Sequence, residues 1–331
     1  LLGLKQGDTD VILLYYTAEP ISRLAEGRQT TQCLAYSTDN GKTFIKHPGN
    51  PVVPTIVNGN RDPKVVWDEA SQRYLMALYL DCDRYALLHS TDLLHWEKVQ
   101  EMHIEGDNEC PDLLLMTVDD GQRKAVIGGA HGCYQVGDVK DGLFVPTQPV
   151  RRLYLNEYCY AHQTYSGTPG RVVQTTWHRA NAEGKPFSQE LSFPCEMTLH
   201  RCGDAYRLRL LPARELSMLA APEAAPALPL AARFPLPQEG RLTLSLGGQT
   251  IVLDVETDTI TAGGESWAVP ASLGGSDVLL LADRYTLKLH LCSGEALLAL
   301  PVRWQQDGEA ALALAAIPGV QLTPLRAAIQ L

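Results

Sequence analysis

Two short segments carry the residues best suited to acid–base chemistry. Arg61-Asp62-Pro63 directly precedes one apolar, strand-like run, and Glu109-Cys110-Pro111-Asp112 directly precedes another. Cleavage of a glycosidic bond needs two carboxyl groups at one centre, one of which gives a proton to the leaving oxygen. Asp62 and Glu109 are therefore the candidate catalytic residues of this sequence.

The neighbours of the two carboxyl groups suit the same chemistry. We expect Glu109 to point into the mouth of the fold, where partial burial favours its protonated form. Arg61 would keep the adjacent Asp62 ionised and could contact sugar hydroxyls. Pro63 fixes the backbone where the strand begins. Each segment taken alone could equally be a structural surface turn.

A third segment, residues 158–165, is rich in aromatic side chains and includes Tyr160, His162 and Gln163. Aromatic faces and amide groups often line sugar-binding pockets, and they also occur in ordinary cores. The segment is therefore a candidate part of a binding pocket, with a core role as the alternative.

The elements that must position these residues are strands. Apolar runs of three to seven residues recur along the chain, bounded by Asp, Asn, Gly or Pro, as is typical of strands and turns. The predicted strands in the first half are 11–16, 64–67, 74–80, 85–89, 112–116 and 125–127. The only predicted helical stretch is 213–221.

An internal repeat predicts a β-propeller. A strand-like run enters the polar turn Ser37-Thr38-Asp39, which ends at Phe44, and a second run enters Ser90-Thr91-Asp92, which ends at Trp96. A weaker echo follows at 132–144. A spacing of about 50 residues suits one four-stranded blade per repeat. Three unrelated hairpins are the alternative interpretation.

The second half predicts a separate module. Residues 222–237 change to Ala, Pro and Leu with little charge, as in a linker. Beyond them, runs that alternate apolar and polar residues predict a two-sheet β-sandwich with one wet face; they are 241–246, 250–255, 277–282, 286–291 and 296–302. We predict a propeller over 1–215, a linker over 216–236 and a sandwich over 237–331.

Composition excludes several function classes. The net charge of −10 and pI near 5.4 argue against nucleic acid or an anionic membrane as partner. No sequence pattern for zinc, a dinucleotide or a P-loop occurs, so we expect no metal and no cofactor. The eight cysteines are spaced singly. Reduced thiols slightly favour the cytoplasm, but a chain that starts at Leu1 leaves export open.

Taken in order, the segments resemble glycoside hydrolase family 32, the levanases, inulinases and invertases. The resemblance implies an all-β fold, a five-bladed β-propeller followed by a β-sandwich, and retaining hydrolysis of fructans or sucrose. By motif, Glu109 would be the general acid/base and Asp62 the transition-state stabiliser. The substrate-binding residues would be Arg61, Cys110, Tyr160 and Gln163.

One departure from the family pattern matters. The family's nucleophile is an Asp in an Asn-Asp-Pro motif of the first blade, and the sequence contains no Asn-Asp-Pro. We therefore predict an N-terminally incomplete first blade and a chain that is inactive as it stands. The alternatives are a non-catalytic fructan-binding protein and a fructosyltransferase. A sialidase or an arabinan-cleaving propeller fits the motifs less well, and neither the individual substrate nor the oligomeric state follows from the sequence.

Overall fold

The computed structural model describes residues 11–20, 27–179, 187–306 and 308–326, and most of them lie in antiparallel strands. The chain divides into two compact units. The first is Leu1–Thr117 with Gly121–Val150, and the second is Val118–Asp120 with Arg151–Leu331. No helix in the described part of the chain is long and apolar enough to span a membrane.

The first unit contains three antiparallel sheets, each a meander in chain order. Sheet 1 has β1 (Ile12–Ala18), β2 (Thr31–Ser37) and β3 (Ile45–Lys46). Sheet 2 has β4 (Arg61–Asp68), β5 (Arg73–Asp81), β6 (Arg84–Ser90) and β7 (Glu97–His103). Sheet 3 includes β8 (Asp112–Thr117), β9 (Arg123–Gly128), β10 (Cys133–Lys140) and β11 (Leu143–Pro146).

The two Ser-Thr-Asp segments form the same turn in successive sheets. Asp39 N donates to Ser37 Oγ at 3.3 Å, and Asp92 N donates to Ser90 Oγ at 3.2 Å; each serine hydroxyl in turn donates to Oδ1 of the same aspartate. The first turn joins β2 to β3 and the second joins β6 to β7, each the last turn of its sheet. The repeat predicted from the sequence is therefore a structural repeat.

Strand β5 shows why these sheets stack face to face. Its residues Leu75, Ala77 and Tyr79 pack with Leu113 and Ile127 of sheet 3. The intervening residues, such as Met76 and Leu78, pack with sheet 1 instead. Because alternate side chains of a strand point to opposite faces, a strand buried on both faces reads as a continuous apolar run.

The second unit contains a fourth antiparallel sheet and a two-sheet sandwich. Its first strands are β12 (Arg151–Arg152), β13 (Cys159–Thr164), β14 (Val172–His178), β15 (Glu190–Leu191), β16 (Cys195–Cys202) and β17 (Ala205–Pro212). Sheet 4 has the order β13-β14-β16-β17, with β15 paired to β14. A 3-10 helix, Arg214–Leu219, follows.

The sandwich packs a five-stranded sheet against a four-stranded sheet around one apolar core. The five-stranded sheet has the order β25-β24-β23-β18-β26, and the four-stranded sheet runs β19-β20-β21-β22. The bounds are β18 (Leu230–Pro235), β19 (Arg241–Leu246), β20 (Gln249–Asp254), β21 (Thr259–Ala262), β22 (Glu265–Ala268), β23 (Asp277–Ala282), β24 (Thr286–Leu291), β25 (Ala296–Pro301) and β26 (Gln321–Pro324). A 3-10 turn, Cys292–Gly294, and a helix, α1 (Glu309–Ala315), complete the unit.

Three sequence expectations need correction. Leu230–Pro235 lies in the segment predicted as a linker, yet it forms β18 between β23 and β26. The predicted helical stretch 213–221 contains only a 3-10 helix, while α1 was not predicted. The solvent-exposed face predicted for the sandwich is absent at β24, because every residue of that strand is buried. The fourth sheet packs on the outer side of this strand, for example through His290 Nδ1 and Leu210 O at 2.7 Å.

Candidate active site

Asp62 leaves the regular path of strand β4. The pairing of β4 with β5 shifts register between Arg61 and Lys64, and Asp62 has a φ of +63°. A β-bulge of this kind re-aims a side chain at the end of a sheet. The backbone N of Asp62 donates to Thr17 Oγ1 at 3.0 Å, which fixes the irregular backbone to β1.

Glu109 and Cys110 lie in the loop before β8, and both also have left-handed backbones, with φ of +54° and +40°. Residues other than glycine rarely adopt this region, and each instance costs about 1–3 kcal/mol unless its surroundings enforce it. Here Tyr85 Oη and Ala130 N both donate to Glu109 O, each at 3.3 Å. The loop is therefore held by the strands around it.

The two segments meet through Arg61. Arg61 Nη2 donates to Glu109 Oε1, and Arg61 Nε lies 3.8 Å from Asp62 Oδ2. Cys110 N donates to the same Asp62 oxygen at 3.0 Å. The side chains of Arg61, Asp62 and Glu109 are 28%, 30% and 31% exposed. Two carboxylates and a guanidinium thus share one accessible centre.

Arg61 is held in a fixed position as the cation of this centre. Arg61 Nη1 donates to Gly59 O at 2.8 Å, and the guanidinium carbon lies 4.6 Å from the centroid of the Tyr79 ring. Burial lowers the pKa of Arg61, but the hydrogen bond and the charge of Glu109 outweigh burial, so the net pKa is raised. The guanidinium remains charged at any working pH.

A buried ion pair supports the centre from within the unit. Lys64 Nζ lies 3.2 Å from Asp112 Oδ1, and the two side chains are 14% and 1% exposed. Lys64 is on β4, two residues after Asp62, and Asp112 begins β8, directly after the Glu109 loop. The pair therefore ties together the two strands that carry the candidate catalytic residues.

The Cys110 thiol is not a candidate nucleophile. Burial raises its pKa well above the ordinary value, and the neighbouring charges of Asp62 and Glu109 raise it further. A nucleophilic cysteine requires the thiolate form. Cys110 therefore contributes its backbone N–H to Asp62 rather than its sulfur to the chemistry.

Asp107 is a buried carboxylate that shapes the loop before Glu109. Its Oδ1 accepts from Asn108 N at 2.8 Å and His131 N at 2.9 Å, and its Oδ2 accepts from Cys133 N at 2.7 Å. Gly129 leaves room for this arrangement, because a Cβ there would lie 2.5 Å from both Asp107 Oδ1 and Tyr85 Oη. Asp107 therefore acts on Glu109 through the backbone.

We expect Asp107 to make stability depend on pH. Burial raises its pKa from 3.8 to about 6, although the three backbone hydrogen bonds oppose the shift. Because the folded-state pKa is the higher one, this contribution is fully present below pH about 4 and is lost as the pH rises through about 6. The shift of about two units corresponds to about 3 kcal/mol.

The measurement compares wild type with Asp107→Asn by urea unfolding at pH 4 and pH 7. From the lower to the higher pH, wild type should lose about 3 kcal/mol more than the variant, whose amide does not titrate. The other carboxylates contribute equally to the pH dependence of unfolding in both proteins, so their contributions cancel in this difference. Parallel pH profiles for the two proteins would show that Asp107 does not titrate in this range.

Tyr160 and Gln163 belong to the second unit. Tyr160 is buried on β13, and the guanidinium of Arg179 lies 3.3 Å from its ring centroid. Gln163 is exposed, beyond a register shift in the pairing of β13 with β14. The structure thus brings together Arg61, Asp62, Glu109 and Cys110 and places Tyr160 and Gln163 in the other unit, while the catalytic and substrate-binding roles of all six residues stay predictions.

Sequence reasoning missed several residues that shape the centre, namely Thr17, Lys64, Tyr79 and Asp107. The only available signal was position, since Lys64 follows Arg-Asp-Pro and Asp107 precedes Glu109 within a polar turn. Among the described residues, no group of three or more His, Cys, Asp or Glu side chains could hold a metal ion.

One carboxylate on a bulge of β4, a second on the loop before β8 and an arginine between them are compatible with acid–base cleavage of a glycosidic bond. Comparison with known families agrees with this chemistry. The Glycosyl hydrolases family 32 N-terminal domain matches residues 4–211. The chain belongs to glycosyl hydrolase family 32, as its motifs predict.

Individual relatives agree with this assignment. The chain is similar to a levanase of Bacillus subtilis (strain 168), with 29% identity over 246 residues, which is 66% of this chain and 35% of the levanase. An invertase of Schizosaccharomyces pombe is 30% identical over 200 residues, covering 53% of this chain and 33% of the invertase. The matched region thus spans about a third of each of these relatives.

Solved structures show the same fold. The exo-inulinase from Aspergillus awamori superposes with a TM-score of 0.80 at 18% identity, covering 98% of this chain and 81% of that chain. A Bombyx mori GH32 beta-fructofuranosidase gives 0.69 at 20% identity, covering 97% and 78%. The predicted all-β architecture of a β-propeller followed by a β-sandwich is confirmed.

Proposed function

We propose that this chain carries the proton donor and the transition-state stabiliser of a β-fructofuranosidase, an enzyme that removes terminal β-D-fructofuranosyl residues from fructans or sucrose with retention of configuration. The observation that carries the proposal is the shared centre of Arg61, Asp62 and Glu109. The names of the relatives, levanase, invertase and exo-inulinase, support fructose-containing sugars as the substrate class.

Each residue of the centre has a role in this proposal. Glu109 donates a proton to the leaving glycosidic oxygen and later activates water as a base. Asp62, which Cys110 N and Arg61 hold in place, stabilises the positive charge that develops on the fructosyl ring. The hydroxyls of the entering sugar compete with Glu109 for the fixed guanidinium of Arg61, and this releases Glu109 to carry a proton.

A retaining double displacement also needs a nucleophile. In the family that carboxylate comes from an Asn-Asp-Pro motif, and none occurs in these 331 residues. Proton donor and stabiliser alone do not form the covalent intermediate. We therefore propose that the 331-residue chain on its own binds fructosides and fails to turn them over.

The experiment measures fructose release from sucrose, levan and inulin by the 331-residue chain, with and without added sodium formate. Formate is a small carboxylate that can take the place of an absent nucleophile. We expect background rates without it and measurable release with it. Normal turnover without formate would refute the proposal that the chain lacks its nucleophile. Binding of fructosides with no response to formate would favour the fructan-binding alternative.

A further inference from the structure

A cavity of about 340 Å³ opens in the second unit, between sheet 4 and the five-stranded sheet of the sandwich. Much of its wall is apolar and includes Leu216, Leu219, Leu230 and Leu281. This volume is at the small end of the range for ligand-binding cavities in proteins. The cavity is therefore large enough for a small molecule with an apolar body.

One wall of this cavity carries a buried cation. Lys288 lies on β24 between Thr286 and His290, which share its face of the strand, and the lysine is only 4% exposed. Its Nζ donates to the Cys195 thiol of β16 at 3.5 Å. Within the described part of the chain, Lys288 has no ion pair with a carboxylate.

Neither Cys159 nor His290 supplies a negative charge to Lys288. Burial raises the pKa of Cys159 to about 11, although Lys288 opposes the shift, so this thiol is neutral at pH 7. Burial and then the charge of Lys288 lower the pKa of His290 to about 3, so this ring is neutral as well. Glu190 also lines the cavity, but its Oε1 accepts from Thr286 Oγ1 and lies 3.5 Å from His178 Nδ1.

Two further charged residues line the cavity. Arg326 donates to Met218 O at 3.3 Å and brings a second cation. Asp283 is exposed, and its Oδ1 accepts from Arg284 N at 2.6 Å. The exposed carboxylate of Asp283 is thus well hydrated, whereas Lys288, which also lines the cavity, is almost wholly removed from water.

Removing an ammonium group from water is costly unless an anion meets it. We propose that this cavity binds a small monocarboxylate with an apolar body, its carboxylate on Lys288 and its hydrocarbon against the leucines. The proposal goes beyond the fructoside chemistry and does not depend on it, since none of the residues involved belongs to the Asp62 and Glu109 centre.

The experiment is isothermal titration calorimetry of the 331-residue chain with sodium octanoate and, separately, with 1-octanol. Both probes have eight carbons, and octanol has one more methylene in its hydrocarbon chain, so tighter binding of octanoate can only come from its carboxylate. We expect octanoate to bind at a single site at least tenfold more tightly than octanol. Lys288→Met should abolish this preference, whereas Lys140→Met, at an exposed lysine, should leave it unchanged.

A second variant covers the case in which Lys288→Met does not fold. Leu216→Trp places a large ring in the cavity and leaves the lysine in place, so it should weaken octanoate binding at least tenfold. The proposal is overturned if octanoate does not bind, if octanol binds equally well, or if either cavity variant binds octanoate as wild type does.

Discussion

Replacement of Glu109 by glutamine is expected to lower formate-supported fructose release from sucrose by about 10²–10⁴-fold, the usual contribution of a positioned general acid. The glucose that leaves is a poor leaving group until its oxygen is protonated. Glutamine keeps the size of the side chain and can still meet Arg61, but it has no proton to give. The measurement is the initial rate of fructose release at saturating sucrose.

Two controls separate the role of the acid from a structural one. Glu105→Gln changes an exposed carboxylate in the same segment and should leave the rate unchanged. An aryl fructoside, whose leaving group needs no proton, should lose far less rate than sucrose in the Glu109 variant. An equal loss on both substrates would instead mean that glutamine disturbs the geometry of the centre.

Asp112→Ala is expected to destabilise the fold by about 3–5 kcal/mol, because it leaves the ammonium of Lys64 buried without its carboxylate. The same change removes the tie between β4 and β8, so the centre should also lose activity. The measurement is the midpoint and slope of urea unfolding, followed by tryptophan fluorescence at pH 7.

The matched variants test whether the charge imbalance is the cause. Removing both partners in Lys64→Met/Asp112→Leu should recover much of the lost stability, since an apolar pair can replace a buried ion pair. Glu101→Ala breaks two surface ion pairs, with Lys98 and with Arg84, and should cause little change in stability. A double variant as unstable as Asp112→Ala would place the effect in packing rather than in charge.

Much of the fold could be predicted from the sequence, because strand patterns are local. Three sandwich strands, β19, β23 and β24, have the predicted bounds, since a Gly or an Asp lies within three residues of each end. Helix α1 was missed because Glu309–Ala315 is one short Ala/Leu run whose N-cap, Gly308, makes no side-chain hydrogen bond. The sequence does not predict strand β18, because its Ala- and Pro-containing segment shows no alternation of apolar and polar residues.

The candidate site was predictable only in part. The pairing of Arg61-Asp62 with Glu109-Cys110 could be anticipated because each segment opens a strand and matches a family motif. The supporting contacts could not be predicted, since Thr17 and Tyr85 bond to backbone atoms of Asp62 and Glu109, which are distant from them in sequence. Contacts between residues that are far apart in sequence produce no local sequence pattern from which they could be predicted.

The left-handed backbones of Asp62, Glu109 and Cys110 have an evolutionary consequence. Glycine or asparagine would adopt these conformations more easily, so a sequence released from selection for chemistry could gain stability by drifting toward them. The three positions still carry an aspartate, a glutamate and a cysteine. Keeping these three side chains at left-handed positions therefore costs the fold stability that glycine or asparagine would restore.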